Sequence, residues 1–237
     1  MAHRPSNDSG GGTAADAIRN GDVESLERFL DADPTLATTR IDGQRTLLHV
    51  ATDWPGHFPN NVASVGVLIA HGAEVNAPFS GRHSETPLHW AASCDDVAVL
   101  DVLLNHGAEI EASGGVIGNG TPLADAVAFG QWQAAKRLIE RGAKTTLWQA
   151  AALGLMDRVA AHFESEAPVP AEITNAFWCA CHGGQMETAR YLLERGADLN
   201  WVGHDGLTPL DAGVRSGASA LVEWLHGRGA QASNKTK

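Results

Sequence analysis

Apolar positions along the chain fall into blocks with a helical period. Val67-Leu68-Ile69, Val102-Leu103-Leu104, Arg137-Leu138-Ile139 and Tyr191-Leu192-Leu193 each close an apolar stretch, and each is followed three residues later by glycine, at Gly72, Gly107, Gly142 and Gly196. A glycine there supplies the positive φ that ends a helix. Upstream of these blocks stands a second phrase: Thr46-Leu-Leu-His-Val-Ala, Thr86-Pro-Leu-His-Trp-Ala-Ala, Thr121-Pro-Leu-Ala-Asp-Ala and Thr208-Pro-Leu-Asp-Ala-Gly. Threonine before proline is an N-cap with proline at the first helical position, so this phrase opens a helix. The small alanines that follow let two helices approach closely. The predicted unit is helix, turn, helix, glycine stop, extended hairpin.

The glycine phrase recurs as Gly72-Ala-Glu-Val-Asn, Gly107-Ala-Glu-Ile-Glu, Gly142-Ala-Lys-Thr-Thr, Gly196-Ala-Asp-Leu-Asn and Gly229-Ala-Gln-Ala-Ser, at intervals of 35, 35, 54 and 33 residues. The combination resembles the ankyrin repeat, with its Thr-Pro-Leu-His and Gly-Ala-Asp-Val-Asn signatures. The resemblance implies an all-α fold, an α-solenoid of helix-turn-helix units joined by short β-hairpin loops. Seven units are expected, beginning near Ala14, Thr46, Thr86, Thr121, Leu147, Ile173 and Thr208. One solenoid would span residues 14–232, between disordered segments at 1–13 and 233–237. The first unit lacks the Thr-Pro-Leu phrase and reads as a polar end cap.

The repeats depart from regularity in places. Trp54-Pro-Gly-His-Phe-Pro-Asn-Asn is inserted between the helices of the second unit, where Pro55 and Gly56 stop the first helix. The hairpin after the third unit is glycine-rich, Ser113-Gly-Gly-Val-Ile-Gly-Asn-Gly120. Gly142-Ala-Lys-Thr-Thr-Leu-Trp is too short for a hairpin, and Glu166-Ala-Pro-Val-Pro-Ala-Glu replaces the Gly-Ala phrase after the fifth unit.

Charge narrows the partners. With 17 basic and 28 acidic residues the net charge is -11, which argues against a phosphate-tracking nucleic-acid binder and a polybasic membrane anchor. No run of 18 apolar residues exists to span a membrane, and the first 13 residues lack the apolar core of a secretory signal. Three cysteines, an odd number, are expected as reduced thiols in a cytoplasm. No phosphate loop, dinucleotide fingerprint, nucleophile elbow or zinc-protease motif is present, so no cofactor and no metal are expected.

In the stack that the resemblance implies, first helices line a concave groove. The binding candidates on that wall are Trp54, His83, His89, Trp90, Cys94, Phe129, Trp148, Gln149, Trp178, Cys179 and His182. The resemblance also implies that His49 and His89 bridge neighbouring repeats. Packed helices lie about 8–10 Å apart, so only adjacent units can combine side chains. This sorts the candidates into two groups, one around Asp53, His57, Glu85, Trp90 and Asp125, the other around Trp148, Trp178, His182, Trp201 and His204. Two functions follow. In the first, the groove binds a partner protein or peptide, neutral or cationic to suit an acidic body. In the second, a small cofactor-independent enzyme or small-molecule binder uses Asp53, His57 and Asp125 for proton transfer, as in isomerisation, cyclisation or hydrolysis. An enclosed cavity holding Asp53, Trp90 and Asp125 favours the second, and an open featureless groove the first.

Overall fold

The computed structural model describes residues 8–165 and 167–233, with side chains from Thr13 onward. The described chain is helical, an ankyrin-type solenoid architecture with no strand, and its one β-pairing is an isolated bridge between Ile41 and Arg45. The hairpin loops expected between units turn as anticipated but form no ladder. In the three-residue loop that the bridge closes, Asp42 and Gly43 both adopt positive φ, as a tight reversal requires. None of the described helices is long and apolar enough to cross a membrane.

The chain divides into two compact units, one ending at Ala143 and one beginning at Lys144. The first holds α1 (Asp8–Asn20), α2 (Val23–Ala32), α3 (Leu47–Thr52), α4 (Asn61–Ala70), α5 (Pro87–Ser93), α6 (Val97–Asn105), α7 (Pro122–Ala128) and α8 (Trp132–Glu140). Within it α1, α3, α5 and α7 lie side by side in one layer, and α2, α4, α6 and α8 in a second. Leu26, Leu30, Leu47, Leu48, Leu68, Leu88, Leu100, Leu103, Leu123 and Leu138 fill the space between layers, all fully buried. The second unit holds α9 (Leu147–Ala152), α10 (Met156–Ser165), α11 (Pro170–His182), α12 (Met186–Leu193), α13 (Pro209–Arg215) and α14 (Ser219–Gly227). There α11 packs between α9 and α13, over a core that includes Phe177, Val159, Leu192 and Leu225.

The helix starts obey the threonine rule, and histidine completes it. His49 Nδ1 accepts the Thr46 backbone N–H at 3.3 Å, and His89 Nδ1 accepts that of Thr86 at 3.1 Å. An acceptor Nδ1 leaves the proton on Nε2. Accordingly, His49 Nε2 donates to the Glu85 carbonyl (3.1 Å) and His89 Nε2 to the Gly120 carbonyl (3.2 Å), each in the next hairpin. Both rings are fully buried, and burial first of all holds them below the usual imidazole range, His49 at about 4. The bridging role implied for these histidines is thus the observed one, and His89 is not available to a ligand.

Several expectations change. The head expected to be disordered at 1–13 is helical from Asp8, because Ala14, Ala15, Ala17 and Ile18 bury the turns that follow; residues 1–7 lie outside the described residues. At the other end, the Gln231 and Ser233 amides donate to Asn200 and Asp211, and 234–237 lie outside the described residues. Helix α9, like α3, has six residues, one fewer than α5, α7 and α13. Gln149 there takes over the capping role of the motif histidine, its Oε1 accepting the Thr146 N–H at 2.8 Å. In α11 the aligned residue is Trp178, buried, whose indole N–H donates to the Leu207 carbonyl at 2.9 Å. Gln149 and Trp178 are therefore scaffold residues.

Candidate functional site

The site begins with the hairpin ahead of α5. His49 and the Phe79 amide both bond the Glu85 carbonyl, which fixes the backbone and directs the Glu85 side chain inward. That carboxylate is 6% exposed. Its Oε2 accepts the indole N–H of Trp90 at 2.7 Å, and its Oε1 accepts the amide of Val116 at 2.9 Å. His83 Nδ1 lies 3.2 Å from Oε2, off the line of a hydrogen bond, while its ring stacks on Phe79 with centroids 4.5 Å apart. Trp90 in turn packs edge-on against His49 at 5.0 Å.

The next unit replaces the motif histidine by Ala124 and follows it with Asp125, which is fully buried. Its Oδ1 accepts the Ile117 amide at 3.4 Å. Val116 and Ile117 are consecutive, so the glycine-rich hairpin 113–120 is stapled by one amide to Glu85 and by the next to Asp125. Gly115 makes room for this: a Cβ there would stand 2.8 Å from Asp125 Oδ2 and 3.0 Å from the Gly120 carbonyl oxygen. Asp125 Oδ2 is buried and accepts no hydrogen bond from a described donor. Two ionised carboxylates in this position would leave it an orphan acceptor beside a like charge. Burial first, and then the Glu85 charge, push the Asp125 carboxyl up to about 8, against the Ile117 amide bond, which favours the ionised form. At neutral pH the Asp125 carboxyl is therefore held toward its protonated form.

Above Glu85 opens a cleft of about 480 Å³. Its walls include Trp90, Cys94, Trp54, Val116 and Phe129, with Asp53 at one side. Trp54 is 76% exposed, Val116 51% and Phe129 49%. Asp125 lies behind Glu85 rather than on the lining.

The proposed acid–base pair of Asp53 and His57 is not brought together. Asp53 forms an ion pair with Arg45 at 2.9 Å and accepts the Trp54 amide. His57, at positive φ, donates from Nε2 to the Cys94 carbonyl and from its amide to Asp96. Both residues pin the inserted 53–60 loop, which carries a cis peptide at Trp54–Pro55, and neither holds the other. The Cys94 thiol donates to the Thr52 carbonyl, and burial pushes it up to about 11. In the second unit Trp148 is half-buried on α9, and burial pushes the Cys179 thiol up to about 12. His182 stacks on Trp178 at 5.5 Å and accepts from Arg215, while Trp178, Trp201 and His204 meet edge to face. Sequence reasoning placed Glu85 near this chemistry but not among the site residues. The signal available was its place next to a Thr-Pro-Leu-His phrase.

Comparison with known proteins agrees with the architecture. A family model described as ankyrin repeats (3 copies) matches residues 14–114, and one described as ankyrin repeats (many copies) matches 177–226. The ankyrin repeat and KH domain-containing protein CBG24701 of Caenorhabditis briggsae is 34% identical over 62 residues, 26% of this chain. Its namesake mask-1 of Caenorhabditis elegans is 38% identical over 50 residues, 21% of this chain. In both cases the match spans 2% of the relative's own length. The crystal structure of the human ASB11 ankyrin repeat domain superposes with a TM-score of 0.54 at 21% identity, covering 90% of this chain and 96% of that one. At that identity the likeness is one of fold.

Proposed function

The chain belongs to the ankyrin-repeat proteins, and from that membership we propose that it is a recognition protein whose first unit binds a polypeptide partner at the cleft above Glu85. One observation carries this. Among the described residues, three of the seven large apolar side chains that stand exposed, Trp54, Val116 and Phe129, gather around one cleft. Clustered exposed apolar surface around a rigid aromatic floor is the anatomy of an interface anchor. A neutral or cationic partner suits the acidic chain. The reading is tested by selecting binders from a random peptide library on the full chain, then measuring their affinity for Trp54→Ala/Phe129→Ala. Undiminished affinity of the double variant would remove the cleft as the binding site.

A second reading, proton-transfer catalysis, is favoured by the buried Glu85 carboxyl on the lining of an aromatic cleft, with Asp125, whose carboxyl burial pushes up to about 8, close by. It moves the acid–base roles from Asp53 and His57 to Glu85, which reaches the cleft, and to Asp125 as its proton reservoir. Turnover of any substrate that survives Glu85→Gln unchanged would end it.

A further inference from the structure

We propose that the cleft receives an arginine side chain of the partner, its guanidinium lying on the face of Trp90 with Glu85 as counter-charge. This rests on the recognition reading above and adds the chemical group the partner must present. The indole N–H edge of Trp90 is occupied by Glu85 Oε2 at 2.7 Å. With Phe79 and His49 packed against other parts of the ring, Trp90 still lines the cleft, and the carboxylate on its edge places negative charge beside that lining surface, which is what a stacked cation needs. No lysine, arginine or histidine is among the described residues that line the cleft, so its floor is short of positive partners. Asp53 adds a second carboxylate to the lining, and the chain as a whole carries -11.

The walls select the kind of cation. Trp54, Val116 and Phe129 strip water from whatever enters. A lysine ammonium is strongly hydrated and loses most there; a guanidinium is weakly hydrated, planar, and forks onto a carboxylate while stacking on an aromatic ring. The volume of about 480 Å³ also leaves room for backbone flanking the arginine.

The other charged or titratable groups facing Glu85 and Asp125 are His83, His49 and His89, with Asp53 and Arg45 at the α3 side. His49 and His89 stay neutral because Nδ1 of each is already an acceptor.

The test uses the full chain labelled with ¹⁵N and follows the indole resonance of Trp90, assigned with Trp90→Phe. The probes are N-acetyl-arginine amide, its uncharged isostere N-acetyl-citrulline amide, N-acetyl-lysine amide and N-acetyl-trimethyllysine amide. Arginine amide is expected to shift the Trp90 resonance with a Kd in the millimolar range, suited to so small a ligand. Citrulline and lysine amides are expected to bind at least about tenfold more weakly. Glu85→Gln, checked for folding by circular dichroism, and Phe129→Ala, whose side chain is half exposed, should each weaken arginine binding by about the same factor. Equal binding of citrulline, tighter binding of lysine or trimethyllysine, or no Trp90 shift at saturating arginine amide overturns the proposal. If library peptides still need Trp54 and Phe129 while arginine amide fails, recognition stands and only the arginine assignment falls.

Discussion

Replacing Asp125 by asparagine tests the buried carboxyl pair through the pH dependence of stability. In the unfolded chain an aspartate titrates near its ordinary 3.8, whereas in the fold the Asp125 carboxyl is pushed up to about 8. The unfolded chain therefore gives up its proton first. Stability tied to this group is intact below about pH 4 and is lost progressively as pH rises to about 8. A gap of about four pH units at about 1.36 kcal/mol each amounts to about 5 to 6 kcal/mol when the loss is complete. An asparagine keeps the acceptor for the Ile117 amide, offers a donor to Glu85, and carries no charge at any pH. Urea unfolding of wild type and Asp125→Asn at about pH 5, 6.5 and 8 gives the difference directly. The variant should gain on wild type by about 1.4 kcal/mol per unit, at least about 3 kcal/mol over this span. His49 and His89 act in the opposite sense, since burial lowers both and makes stability rise as pH climbs toward the usual imidazole range, for His49 from about pH 4. They are present in both proteins and cancel. Parallel stability curves, with a constant gap between variant and wild type, would refute the raised titration of Asp125.

Three further outcomes follow from the same geometry. His49→Leu strands the Thr46 N–H and removes one donor from the Glu85 carbonyl in a buried setting, and should cost about 2 to 4 kcal/mol by urea unfolding; a loss below about 0.5 kcal/mol would deny the ring its bridging role. Gly115→Ala drives a methyl against the Asp125 oxygens and the Gly120 carbonyl, and should destabilise by about 1 to 3 kcal/mol while raising hydrogen exchange at the Val116 amide; unchanged exchange there would contradict the close approach. The three thiols, all buried and pushed up in titration by that burial, should resist a thiol-exchange reagent at about pH 8 by a factor of about 10² relative to the urea-unfolded chain; a fast-reacting cysteine in native protein would contradict this.

The scaffold was legible because its instructions are local. Thr46, Thr86, Thr121 and Thr208 cap the helix they precede, and Gly72, Gly107, Gly142 and Gly196 take the positive φ that stops the second helix of a pair. The bridging histidines were legible by resemblance alone. What escaped was the non-local part. Asp53 and His57 stand four apart in sequence, but the loop between them turns at Gly56, so one meets Arg45 and the other the end of α5. Glu85 and Asp125 are 40 residues apart and meet only because the 113–120 hairpin folds back over both. In α9 the capping role falls to Gln149 rather than its neighbour Trp148, a choice an apolar helix leaves open until the bond to the Thr146 amide is seen.

The two successive amide bonds from Val116 and Ile117 make the electrostatics of the cleft and its shape a single degree of freedom. An ordinary pocket can have its charge retuned while its walls stand. In this one the carboxylates are also the fasteners of a wall, so a substitution that drains negative charge from the floor loosens the hairpin with it. Evolution of new specificity here would proceed more readily through Trp54 and Phe129, which shape the mouth without holding anything up, than through the acids beneath them.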